Sequence, residues 1–173
     1  MAKEMVMSGV PGQSACIQLA HGGGGALSQK LIRQWLMPAL GPGTTALHDA
    51  ALLPGARGTL AVSTDSFVVK PLVFAGGDIG RLAVLGSLND LAMVGARPLA
   101  LSLGLILEEG LPMATLERVI ASIRLACEQA DVAVVTGDTK VVERGNADGV
   151  FINTTAIGCV EHGLELSPLA VRP

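Results

Sequence analysis

The sequence predicts an α/β domain of the two-layer α+β kind, with a mixed sheet, and three observations carry that prediction. Residues 60–94, LAVSTDSFVVKPLVFAGGDIGRLAVLGSLNDLAMV, read as a strand, a glycine-rich bend and a helix. Leu99, Leu101, Leu103, Leu105 and Leu107 alternate with small or apolar residues, the pattern of a strand with one heavily buried face. An amphipathic helix follows from Pro112, and two more β-prone runs occupy 133–142 and 150–160. A chain of 173 residues makes one domain with a real core.

Composition narrows the function classes. Hydrophobic residues make up 50% of the chain and aromatic ones 2%, so the core is built from Leu, Val, Ile and Ala. A net charge of −3 with no cluster of Lys and Arg argues against nucleic acid as a partner. Mean hydropathy is high at +0.53, yet charge-free apolar runs such as 98–107 are too short to span a bilayer. The excess is assigned to buried strands and a subunit interface, not to a membrane. The opening MAKEMVMSGVPGQ has no secretory pattern. Cys16, Cys127 and Cys159 are widely spaced without a CxxC, which reads as reduced thiols in the cytoplasm.

In chain order, His21 and the four glycines Gly22, Gly23, Gly24 and Gly25 precede a helix with Leu27, Leu31, Ile32 and Trp35 at helical spacing, closed by Pro38. Such a loop either offers N–H groups and a helix N-terminus to an anion or is a flexible linker. It lacks the Gly-Lys-Ser/Thr of a phosphate-binding Walker loop. It resembles an esterase oxyanion loop, but no GxSxG elbow exists in the chain. Gly41, Pro42, Gly43, Pro54, Gly55 and Gly58 punctuate 41–58, with Asp49 ahead of an apolar run and His48 read as solvated. The strand 60–69 follows, then the bend at Gly76, Gly77 and Asp78.

Asp78 is placed to cap the next helix. That helix is apolar on nearly every side, so it packs on more than one face, and Gly95 to Pro98 end it. After Glu108, Glu109 and Gly110, the helix from Pro112 carries Leu116, Val119, Ile120, Ile123, Cys127 and Ala130 on one stripe, opposite Arg118, Arg124 and Glu128. It is a cover layer. The strand 133–142 is read as broken by Thr136, Gly137 and Asp138. Asp138 and Lys140 share parity and project to one face about 7 Å apart, as an ion pair or as a metal ligand beside a phosphate-binding cation. Arg144 to Gly149 reads as a hairpin-like loop.

The chemistry lies in carboxylates set in apolar surroundings. Asp65 interrupts a β-prone run, and Asp90 stands beside Asn89 in an apolar helix. A charge so placed must be paired, metal-bound or protonated. Asp49, Asp65, Asp90 and Asp138 with Asn89 form an all-oxygen donor set suited to Mg²⁺, which prefers one or two carboxylates plus phosphates and water. No His/Cys cluster has zinc spacing. The glycines supply N–H donors and Lys140 a point charge. The residues alone thus describe a Mg²⁺-nucleotide domain.

The blocks HGGGG, STDSFVVKPLVFAGGDIGRLAVLGSLNDLAMVGARP, ILEEGLP, VVTGDTKVVERG and DGVFINTTAIG run through nearly the whole chain in this order. They resemble the N-terminal half of the HypE-type hydrogenase maturation factors, in the aminoimidazole-ribonucleotide-synthetase (PurM-like) superfamily. The resemblance implies a small mixed sheet with helices on one face, pairing in a homodimer into a joint barrel that forms the ATP sites. It implies Asp49, Asp65, Asn89, Asp90 and Asp138 around Mg²⁺ and the phosphates. Gly22 to Gly25 would cover the phosphates, Thr139 would lie at the nucleotide and Lys140 would be the catalytic cation.

The implied activity is ATP-dependent dehydration of a carbamoylated C-terminal cysteine to a thiocyanate, source of the cyano ligands of nickel–iron hydrogenase. The implied partners are the carbamoyltransferase HypF and a HypC–HypD scaffold. On this reading 1–40 is an arm, loop and first helix, 41–162 is the ATP-binding and dimerisation core of the same domain, and 163–173 is a linker. The acceptor cysteine and second domain are absent from the sequence, so the chain is expected to be inactive in the full reaction. Two alternatives remain. One is another ATP-dependent enzyme of the superfamily, such as a thiamine-phosphate or selenide kinase, which ILEEGLP and GDTKVVERG speak against. The other is a non-catalytic dimerisation module.

Overall fold

The regular elements of the computed structural model, in chain order, are a 3₁₀ turn Leu19–Gly22, α1 (Ala26–Lys30), a π-helical stretch Leu31–Leu36, α2 (Met37–Leu40), β1 (Leu60–Phe67), β2 (Val73–Phe74), β3 (Gly77–Asp78), α3 (Ile79–Met93), β4 (Ala96–Glu108), α4 (Met113–Gln129), β5 (Val134–Val142) and β6 (Val150–Val160). Residues 16–41, 53, 58–160 and 166 are described by the structure. Asp49, His48 and nearly all of the expected linker 163–173 lie outside them.

Four strands form one mixed sheet in the order β1-β6-β4-β5. β6 is antiparallel to β1 and β4, while β4 and β5 are parallel. A parallel pair needs a crossover, and α4 supplies it. Its stripe of Leu116, Val119, Ile120, Ile123 and Cys127 is buried as expected, while Arg118, Arg124 and Glu128 are exposed. The stripe shares one core with Leu101, Leu103, Leu105 and Leu107 of β4 and Val150, Ile152 and Ala156 of β6. Ile17, Leu31 and Leu36 join that core, so the N-terminal segment belongs to the same domain. Each fully buried aliphatic side chain contributes roughly 1.5–3 kcal/mol.

α3 begins as expected, with the Asp78 carboxylate accepting from the Arg81 backbone N–H at 3.0 Å. It packs on two sides, against the sheet and against α4. Gly80 permits the second contact, since a Cβ there would stand 2.5 Å from the Val119 carbonyl oxygen.

Several local expectations are corrected. Pro38 does not close the first helix. Met37 N–H reaches Ile32 C=O in the wider π pattern, the turns pass the proline, and Gly41 (φ +92°) ends the helix. β1 stops at Phe67, short of Val69, and the glycine bend contains the two-residue hairpin β2–β3. Ala96 and Pro98 lie in β4 and do not merely end α3. Leu99 breaks the alternation and is exposed, because the pairing with β6 skips from Pro98 to Ala100. β5 is continuous through Thr136, Gly137 and Asp138. Residues 144–149 are not a hairpin, because β4 lies between β5 and β6. That loop is anchored by Glu108, whose carboxylate accepts from Gly145 N–H at 2.7 Å and Gly149 N–H at 2.9 Å.

Candidate functional site

β1 alternates between faces, so Ala61, Ser63, Asp65 and Phe67 turn toward α3 and Val62, Thr64 and Ser66 turn away. Two hydroxyl–carboxylate pairs cross between strand and helix. Ser63 Oγ of the strand donates to Asp90 Oδ2 of the helix at 2.6 Å. Ser87 Oγ of the helix donates to Asp65 Oδ2 of the strand at 3.0 Å. Ser63 and Asp65 are two apart on one strand face, and Ser87 and Asp90 are three apart on the helix, so the pairs stand side by side. Gly86 lets strand and helix approach, since a Cβ there would meet the Phe67 ring at 2.7 Å.

Behind this pairing, Ser87 Oγ lies 2.7 Å from Thr154 Oγ1 of β6, which lies 3.3 Å from the Ala83 carbonyl oxygen. Ser87 and Thr154 are fully buried. Asp65 is half-buried, and Asn89 and Asp90 are exposed. On the other side of the sheet Asn153 Nδ2 donates to the Asp65 carbonyl at 2.9 Å and to Ser66 Oγ at 3.0 Å, which holds the β1 backbone at the carboxylate.

The second group of sequence-derived residues lies on β5. Asp138 and Lys140 are exposed on the face opposite Val141, and Thr139 N–H donates to Asp138 Oδ1 at 2.8 Å. Among the described residues Asp138 and Lys140 form no ion pair with each other. The glycine turn rests on this strand, and its four glycines differ physically. A Cβ on Gly22 would stand 2.5 Å from Val141 N. Gly24 has φ +77° and donates its N–H to Ser28 Oγ at 2.9 Å. Gly23 and Gly25 have room for a side chain. The buried Ser28 closes the turn by donating to His21 C=O at 2.7 Å.

Within one chain these two groups are apart. β1 and β5 are opposite edges of the sheet, three strand spacings or about 14 Å from each other. Asp138 shares a row with Gly104, Asn153 and Ser66, hence the face away from α3, whereas Asp65 points toward α3. The fold brings Asp65 and Asp90, with Asn89 adjacent, together and leaves Asp138 and Lys140 elsewhere. Among the described residues no three Asp, Glu, His or Cys side chains gather as metal ligands.

Sequence reasoning did not pick out Ser63, Ser87 or Thr154. A signal existed for Ser87, a polar residue four positions from Ala83 and Leu91 on the buried side of α3. Ser63 has the parity of Asp65. Thr154 gives no local signal, because its partners are 67 and 71 residues away.

Residues 47–160 match the family described as AIR synthase related protein, N-terminal domain, and the chain belongs to that family. Within it, the chain is similar to carbamoyl dehydratase HypE of Azotobacter vinelandii, 46% identical over 168 residues, covering 96% of this chain and 49% of the relative. A crystal structure of the hydrogenase maturation protein HypE in complex with ATP superposes with a TM-score of 0.85 at 50% identity, over 90% of this chain and 47% of that one. A chain of a crystal structure of a HypE–HypF complex gives a TM-score of 0.61 at 41% identity, over 82% of this chain and 44% of that one. The chain therefore spans about half the length of the relatives it matches. Its mixed sheet with helices is the fold of these proteins. No helix among the described residues is long and apolar enough to cross a membrane.

Proposed function

We propose that this chain is the ATP-binding N-terminal domain of a HypE-type carbamoyl dehydratase, and that each Mg²⁺-ATP site draws on two protomers. The observation that carries the reading is the close similarity to HypE in complex with ATP. The donor set fits Mg²⁺. Asp65 and Asp90 are hard oxygen ligands, each with one carboxylate oxygen engaged by a serine and the other without a hydrogen bond among the described residues. Asn89 stands beside them, and Asp49 joins them by resemblance. Mg²⁺ held there would supply charge neutralisation at the phosphates during transfer.

The remaining residues come from the β5 edge. Asp138, Thr139 and Lys140 with the glycine turn at Gly22 to Gly25 form the other half of the site, Lys140 acting as the cation at the transferred phosphoryl group. Since one chain holds the two halves about 14 Å apart, a two-fold partner supplies the missing half. The sheet face away from the helices supports such pairing. Among the described residues nothing covers it, Val62 is 64% exposed and Leu60 55%, and apolar surface of this kind marks an interface.

In the whole protein, the carbamoyl oxygen on the terminal cysteine takes the γ-phosphoryl group of ATP and leaves as phosphate. Loss of the two amide protons leaves the nitrile of a thiocyanate. Positioning is a large part of such catalysis, and by resemblance the acceptor cysteine ends a flexible tail beyond a second domain, which a linker at 163–173 would join to this one. The partners of the whole factor are HypF and the HypC–HypD scaffold, and its compartment is the cytoplasm. Calorimetric titration of ATP into the chain, with Mg²⁺ and with chelator, tests the reading. Binding is expected only with Mg²⁺. Equal heats in both, or none in either, would overturn it.

A further inference from the structure

The buried hydroxyls behind Asp65 have fewer protons than contacts. Ser87 and Thr154 carry one hydroxyl proton each. They make three close approaches, Ser87 to Asp65 at 3.0 Å, Ser87 to Thr154 at 2.7 Å and Thr154 to the Ala83 carbonyl oxygen at 3.3 Å. A carboxylate and a carbonyl oxygen only accept. With Asp65 ionised, as a metal ligand must be, Ser87 gives its proton to Asp65. The 2.7 Å contact then requires Thr154 to donate to Ser87, and the longest contact, to Ala83, receives no proton. The direction is therefore fixed, from Thr154 through Ser87 to Asp65.

Position reinforces it. A serine inside a helix tends to bond back to the carbonyl four residues before it, which for Ser87 is Ala83. Thr154 lies against that oxygen and opposes the swing. Ser87 and Thr154 are both fully buried, so no water competes for either hydroxyl.

We infer that Ser87 and Thr154 are positioning residues for the metal-binding carboxylate, a two-hydroxyl relay that holds Asp65 Oδ2 and presents Oδ1 to the cation. The inference rests on the Mg²⁺-ATP reading above. Both hydroxyls are fully buried behind Asp65 and so are closed off from a nucleotide or a metal. Each acts through Asp65, as hydrogen-bond partners behind a metal ligand do elsewhere, where their loss weakens metal binding about 10- to 100-fold.

The test is a Mg²⁺ titration of the 173-residue chain at fixed fluorescent ATP analogue, with thermal unfolding of the nucleotide-free proteins alongside. Ser87→Ala should raise the Mg²⁺ needed for half-saturation about tenfold. Thr154→Val keeps the volume and removes the hydroxyl, and should shift it in the same direction by less. Thr154→Ser, which keeps the hydroxyl, should restore parental behaviour. A role in packing alone would instead be served by valine and upset by serine. Should Ser87→Ala fail to fold, the Thr154 pair still decides. In an Asp65→Ala background Ser87→Ala should add nothing. If Asp65→Ala weakens Mg²⁺ binding but Ser87→Ala and Thr154→Val bind like the parent, the relay is wrong and the site stands. If Asp65→Ala binds like the parent, the site reading fails and the relay with it.

Discussion

Gly22→Ala tests what packing requires of the glycine turn. A Cβ at Gly22 would stand 2.5 Å from Val141 N and 2.9 Å from Val141 Cβ. Ordinary contact begins at 3.4 Å, so the turn or β5 must move by about 0.9 Å, and the nearest atom is backbone that no rotamer change can remove. Overpacking of this kind costs about 1–3 kcal/mol, which lowers the melting temperature by about 2–12 °C for a chain of this size. Gly23→Ala is the matched control. Its Cβ meets only the Ala20 carbonyl oxygen at 3.9 Å, and its φ of −88° suits any residue. Thermal unfolding by circular dichroism should place Gly22→Ala well below the parent and Gly23→Ala within about 0.5 kcal/mol of it. Because β5 carries Asp138 and Lys140, Gly22→Ala should also weaken Mg²⁺-ATP binding. Equal melting temperatures for the two variants would refute the packing argument.

Further outcomes are expected at Glu108, Lys70 and Cys127. Glu108→Ala removes the acceptor of the exposed Gly145 N–H and the part-buried Gly149 N–H and should cost about 0.5–1.5 kcal/mol, read by thermal unfolding and by faster proteolysis within 143–149. Lys70→Ala, which removes an exposed ion pair to Asp148, should change little. Burial first, and the Glu128 carboxylate second, push the Cys127 thiol up to about 11 from an ordinary 9.0. The unfolded chain therefore ionises first. The stability that a neutral Cys127 supports is present below about pH 9 and is lost as pH rises toward about 11. The denaturant midpoint of the parent should fall relative to Cys127→Ala across that window, and at pH 8 the folded protein should not react with thiol reagents at Cys127.

What the sequence reveals depends on the range of the interaction. Asp78 as a cap was legible because its partner, the Arg81 N–H, lies within one turn, and the α4 stripe because its helical period is written within the helix itself. Leu99 was misread because a skipped pairing with β6 reverses parity at one residue, and nothing local announces it. Thr136, Gly137 and Asp138 looked like a break, yet Gly137 serves close pairing, since a Cβ there would stand 2.3 Å from the Leu103 carbonyl oxygen. The carboxylates of the candidate site could be picked out by their apolar settings. Their grouping could not, because strand order and facing decide that Asp65 and Asp90 lie on the facing sides of β1 and α3 while Asp138 looks the other way. Thr154, reached only through contacts more than sixty residues long in sequence, was illegible for the same reason.

The central claim, one Mg²⁺-ATP site built from two chains, is tested most directly by mixing defects. Asp65→Ala and Asp138→Ala each remove one half of the proposed site, so either variant alone should bind Mg²⁺-ATP poorly. Co-expressed with different tags, the two chains form mixed dimers in which one site carries both lesions and the other carries none. Random pairing makes half of all dimers mixed, so about a quarter of the parental sites return, and nearly all of them purify with doubly tagged dimers. Doubly tagged dimers that bind one Mg²⁺-ATP per dimer at parental affinity are the predicted result. Doubly tagged dimers that bind no better than either variant alone would contradict it.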